Sequence, residues 1–146
     1  MTTVTRRTLF HTAVAGLAIG MLPAVARSQA GKPKNKLVLQ VSDNDPGKWG
    51  LALNNAANVQ ADLDAENVDI EIVVYGPGIS MLKSESPLAK RVSAALKSGV
   101  KVVACENTMK AQSLTYANML PDIGYVPAGV VELMQKQHQG YAYIRP

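Results

Sequence analysis

Apolar residues enter this chain in short blocks divided by polar turns, and the blocks alternate between two periods. Residues 36–42 are a short apolar run interrupted by Gln40 and bounded by turn residues, which predicts a buried strand. From about 48 to 63 the spacing changes. Trp49, Ala52, Leu53, Ala56, Val59 and Leu63 recur every three or four positions and predict one apolar helix face. Asn54, Asn55 and Asn58 are poor helix formers in its middle. Residues 68–75 start in alternation and finish apolar, as a strand does on entering a covered sheet. A loop follows from Gly76 to Glu85. Ser86 with Pro87 predicts a cap and first helical position for a helix ending at Ser98, with Leu88, Val92, Ala95 and Leu96 inward and Gly99 as terminator.

The remaining blocks repeat the scheme. A strand is expected from Val100 to Ala104 or Cys105, then a helix over about 107–118 with Asn107 as its cap, then a short strand over 124–127. Val130, Leu133, Met134 and Gln137 mark the inward face of a fourth helix ended by Gly140, and a last strand over 141–144 is expected at a sheet edge. Strand and helix alternate four times before a final strand. That order predicts a three-layer α/β/α sandwich, flavodoxin-like, with a mainly parallel sheet of about five strands and right-handed crossovers. Residues 31–146 are expected to form a single domain.

Residues 1–30 read differently. Arg6 and Arg7 precede Thr8, Leu9 and Phe10, an uncharged run follows to Ala26, and Ala24, Val25 and Ala26 form a small-residue exit, with Ser28–Ala30 as a second one. This is the pattern of a twin-arginine export signal with a short lead-in, and it predicts a periplasmic protein. The apolar run, about 16 residues, falls short of the ~20 that span a bilayer, so no stable membrane span is expected after signal removal. Removing the signal also changes the charge. The chain carries 15 basic and 11 acidic residues, +4; without Arg6 and Arg7 it is +2, and +1 if Arg27 is removed too. A nearly neutral domain with few aromatic residues argues against nucleic acid as a partner.

Candidate chemistry converges on one atom. Cys105 is the only cysteine. In an oxidising compartment a lone cysteine is a reactive thiol, an intermolecular bridge, or an inert buried residue. It falls where a buried strand gives way to a helix, the end of a parallel sheet where ligands gather, and facing a helix dipole that favours thiolate. Gly76, Pro77 and Gly78 end the neighbouring strand and permit a tight turn or close approach, without the spacing of a nucleotide-binding loop. Glu106 would raise the thiol pKa and Lys110 would lower it. His138, in a polar helix end, is read as solvated. With one cysteine and one histidine after the signal, no metal site and no cofactor are expected. A cysteine hydrolase lacks a placed general base.

Four runs, 73–82, 102–109, 126–133 and 140–146, resemble the DsrE/DsrF-like (YchN-like) family of sulfur-relay proteins, and the resemblance spans about 36–146. The resemblance implies the three-layer fold, a homo-oligomer (trimer or hexamer), and sulfur carried as a persulfide on Cys105 and passed to an acceptor thiol. In that reading the loops after the second and third strands form a shallow crevice that leaves Cys105 open. The amides of Asn107 and Thr108 stabilise the anion, and Gly76 and Gly78 let a sulfur donor approach. The alternative is a non-catalytic oligomeric binding or scaffold module in which Cys105 is packed.

Overall fold

The computed structural model describes residues 35–146. The expected export signal and lead-in lie outside the described residues. The elements are β1 (Asn35–Val41), α1 (Pro46–Leu63), β2 (Val68–Val74), α2 (Ala89–Lys97), β3 (Lys101–Cys105), α3 (Glu106–Ala111), β4 (Gly124–Val126), α4 (Gly129–His138) and β5 (Ala142–Ile144). All strand pairings are parallel, in the order β4-β3-β2-β1-β5. The expected five-stranded parallel α/β architecture is the one observed.

Side-chain alternation divides the sheet into two unequal faces. Leu37, Leu39, Val41, Ile70, Ile72, Val74, Val102 and Ala104 pack on Trp49, Ala52, Leu53 and Ala56 of α1 and Val92 of α2. The other face is smaller: Val38, Val73 and Val103 meet Leu133 of α4 and Tyr141. Among the described residues no helix is long and apolar enough to cross a membrane.

Local chemistry explains the helix ends. Asp45 caps α1, its Oδ1 accepting from the amides of Gly47 at 2.8 Å and Lys48 at 3.4 Å, with Pro46 opening the helix. Helix α2 starts at Ala89, later than Ser86 and Pro87 suggest. Those two residues form a preceding turn in which the Ser86 hydroxyl accepts from the Leu88 amide at 3.3 Å and the Ser86 carbonyl accepts from the Ala89 amide at 3.1 Å. The helix expected over 107–118 stops at Ala111. Ser113 adopts φ 53°, and the Leu114 amide reaches back to the Met109 carbonyl at 2.8 Å while Ser113 reaches Lys110 at 3.1 Å. This is a Schellman ending with serine in the place glycine usually takes. A separate 3-10 turn, Tyr116–Asn118, follows under a Thr115–Asn118 capping box. The segment Gly76–Leu82, expected as a loop, is a 3-10 turn that buries Ile79, Met81 and Leu82.

One face expectation needs correction. The buried residues of α4 are Gly129, Leu133 and Lys136, whereas Val130 and Met134 are each 53% exposed and Gln137 is exposed. The helix is rotated from the orientation its apolar residues favour, with the Lys136 ammonium turned to the sheet and paired with Glu71 on β2 at 2.6 Å.

Candidate functional site

The carboxyl ends of β2 and β3 meet the first turns of α3 and α4. Cys105 closes β3 and is itself the residue before α3, with extended backbone angles of φ −78° and ψ 114°. Alternation turns its side chain to the α4 face, and the register sets it opposite Val126 of β4. One step beyond the Val74–Ala104 pair, Tyr75 continues β2 on the same face. The Tyr75 ring lies under Gly129, whose missing Cβ would sit 3.0 Å from the Tyr75 Cβ. The absence of a side chain there lets α4 begin directly over the strand ends.

The sulfur lies in a polar niche. Cys105 Sγ is 4.0 Å from the Pro127 carbonyl, toward which a protonated thiol can donate. Burial pushes the thiol pKa up, but the Thr108 hydroxyl and the backbone amides of Gly129, Thr108 and Asn107 outweigh it, so the thiol titrates below its ordinary value. Thr108 is held for this role from the other side. Its Oγ1 accepts from the Gly76 amide at 2.9 Å, which leaves the hydroxyl hydrogen for the sulfur. Gly76 adopts φ 54°, and its carbonyl accepts from Gln112 Nε2 at 3.4 Å, so the turn after β2 is tied to α3 on both of its polar atoms.

The sequence-nominated residues therefore separate. Cys105, Thr108, Gly76 and the amide of Asn107 come together. Asn107 does not cap the helix; it lies within the first turn of α3, and its amide donates to Pro127 at 3.2 Å, which joins that turn to the start of α4. Gly78 faces away: its amide donates to the Ser42 carbonyl at 3.0 Å, and a Cβ on it would lie 2.7 Å from the Val41 carbonyl oxygen. Its bareness serves packing against the end of β1. The expectation of an open thiol is also corrected. Cys105 is 5% exposed, because β3 is interior to the sheet and the turn from Pro127 to Gly129 lies over its end.

The flanking charges are arranged otherwise than expected. The Glu106 carboxylate accepts from the Tyr116 hydroxyl, and the Tyr116 ring meets Tyr125 edge-on with centroids 4.6 Å apart. A cleft of about 290 Å³ beside α3 is lined by Glu106, Met109, Lys110, Leu114, Thr115 and Tyr116, so the charges that flank Cys105 in sequence open onto a different surface. His138 is exposed at the end of α4.

Two contributors, Gly129 and Tyr75, escaped the sequence reading of the site. A glycine two places after Pro127 at a helix start was the available signal. Its pairing with Tyr75 depends on strand register, which the sequence does not print.

A test of the niche follows from Thr108. Thr108→Val keeps the shape and removes the donor, so the thiolate loses a stabilising partner and the pKa must rise. An upward shift of about one pH unit, the scale of one charge-assisted hydrogen bond, is expected in the pH dependence of Cys105 alkylation.

Comparison with known proteins agrees with this architecture. A family model described as DsrE/DsrF-like matches residues 35–146. Among solved structures, MTH1491, a protein of unknown function from Methanobacterium thermoautotrophicum, is 33% identical; the match covers 77% of this chain and all of that one, with a TM-score of 0.74. BT1422, a conserved protein of unknown function from Bacteroides thetaiotaomicron, is 12% identical over 77% of this chain and 95% of its own, with a TM-score of 0.62. The ychN protein from E. coli is 12% identical over 78% and 99%, with a TM-score of 0.60. At these lower identities the likeness is one of fold. No curated protein matches the chain. With the family model covering every described residue, the chain belongs to the DsrE/DsrF-like family.

Proposed function

We propose that this protein handles sulfane sulfur, carrying it as a persulfide on Cys105 and yielding it to an acceptor thiol. The observation that carries the reading is a solitary cysteine whose sulfur is faced by a hydroxyl and three amides, which favour its anion despite burial. Membership in the DsrE/DsrF-like family points the same way, toward sulfur-related chemistry.

The chemistry needs no cofactor. The Cys105 thiolate attacks the outer sulfur of thiosulfate, a sulfur–sulfur bond forms, the old one breaks, and sulfite leaves with its electron pair. An acceptor thiolate then attacks the outer sulfur of the persulfide, and Cys105 leaves as thiolate. With no second cysteine in the chain, no internal disulfide can discharge the persulfide. Incubation with thiosulfate or polysulfide, followed by mass spectrometry of the native protein, is expected to show one added sulfur atom mapped to Cys105. Unchanged mass with both donors contradicts the carrier role.

The reading extends to place and assembly. The twin-arginine pattern at Arg6 and Arg7 supports export to the periplasm, and replacing both by lysine is expected to leave the precursor in the cytoplasm. Val130, Val131 and Met134 expose an apolar strip on α4, in keeping with a trimer or hexamer. Size-exclusion chromatography with light scattering is expected to give one of these; a monomer contradicts it.

The 5% exposure of Cys105 favours a second reading, a binding or scaffold module without chemistry. Labelling separates the two. Alkylation of the native protein supports the carrier, and alkylation only after denaturation supports the scaffold.

A further inference from the structure

We infer that the buried ion pair between Lys136 and Glu71 is a positioning clamp for the thiol niche: it fixes α4 on the sheet so that the Gly129 amide stays over Cys105. Three contacts hold this helix along β2. Gly129 rests on Tyr75, Leu133 packs in the cluster with Val73, and Lys136 Nζ meets Glu71 Oε2 at 2.6 Å. Residues 71, 73 and 75 alternate onto one face of the strand. Positions 129, 133 and 136 form one stripe of the helix, since seven residues make about two turns. The upper contact involves no side chain on the helix, so the height and tilt of the first turn are set from below.

The lower contact is built to hold. The side chains of Lys136 and Glu71 are 11% and 4% exposed, and Glu71 Oε1 is buried with no hydrogen-bond partner. Glu132, one turn before Lys136, is 3.5 Å from the same ammonium. The Tyr141 ring lies 4.9 Å from Lys136 Nζ, and its hydroxyl donates to Asp69 at 2.6 Å. Lys101 pairs with Asp69 at 3.0 Å, and Lys36 approaches the same ring at 5.6 Å. Burial alone would lower the pKa of Lys136, but contact with Glu71 outweighs it and holds the ammonium charged, whereas burial, with Glu132 beside it, pushes the Glu71 carboxyl above its ordinary value despite Lys136. A charged pair left partly unsatisfied in a small apolar layer is a poor source of stability, and fixing register is the role best attested for such pairs.

The readout is the thiolate itself, so it stands or falls separately from sulfur carriage. The decisive variant is Glu71→Leu with Lys136→Met. It removes one charge of each sign, leaving the net field on the sulfur nearly unchanged, and such replacements commonly preserve folding. The pH midpoint of Cys105 alkylation is expected to rise by about one unit, or ~tenfold in thiolate population, with the circular dichroism spectrum retained. A folded double variant with the wild-type midpoint overturns the inference. Glu71→Gln is the second variant, which keeps the side-chain shape and an oxygen facing Lys136, and decides the matter should the double one fail to fold. It removes a negative charge, whose direct effect is to lower the thiol pKa, so an upward shift in Glu71→Gln reports a displaced helix. An unchanged or lowered midpoint there also overturns the clamp.

Discussion

A Cys105→Ser chain is expected to take up no sulfane sulfur, from thiosulfate or from polysulfide, while keeping the native fold. The expectation is complete loss because the reaction needs a polarisable anion near neutral pH, and a serine hydroxyl is not ionised there. The niche cannot substitute for the nucleophile; its hydroxyl and amides only stabilise charge that the residue at 105 supplies. Folding should persist, since serine is close to cysteine in size and the Thr108 hydroxyl and neighbouring amides offer it polar partners. Intact mass after donor treatment, with a thermal melt of the same sample, checks both parts. Sulfur uptake at wild-type level in the folded serine variant would place the chemistry elsewhere.

Gly78→Ala is expected to cost stability even though its backbone is free of glycine-only angles. The added Cβ would sit 2.7 Å from the Val41 carbonyl oxygen and 3.0 Å from the Ser42 Cα. Both are backbone atoms at the end of β1, so neither can swing aside as a flexible side chain would. Relief requires the Gly76–Leu82 turn to lift, which disturbs the fully buried Ile79, Met81 and Leu82. Overpacking of this kind costs about 1–3 kcal/mol, and urea denaturation would register it as a lower midpoint with an unchanged slope. Wild-type stability for Gly78→Ala would mean that the turn is looser than its contacts indicate.

The contrast between these two residues shows what was legible in the sequence. The order of strands and helices followed from periodicity and turn residues: runs such as 68–75 and 100–105 are short, rich in β-branched residues and bounded by turns, and β2 and β3 lie there. Cys105 and Gly76 could be placed because both fall at strand ends, where element boundaries fix position. Gly78 could not, because a bare backbone serves close packing and ligand approach equally well. The face of α4 was misread for a related reason. Its apolar residues propose Val130 and Met134 as buried, whereas Gly129, Leu133 and Lys136 face the sheet, Lys136 meeting Glu71 across a contact that is not local in sequence. Burial of the thiol was likewise hidden, since it depends on Pro127 and Gly129, distant in sequence and brought over β3 by the final crossover.

The pH dependence of Cys105 alkylation in the native protein bears most directly on the whole. Rates depend on access, but the midpoint of the profile depends on the thiolate alone, so a slow reaction at a covered sulfur still reports its ionisation. A midpoint below that of an unperturbed cysteine thiol is expected, with the label mapped to Cys105 and the native fold intact. A midpoint at or above that value, or labelling seen only after unfolding, would show the sulfur to be an inert part of the core.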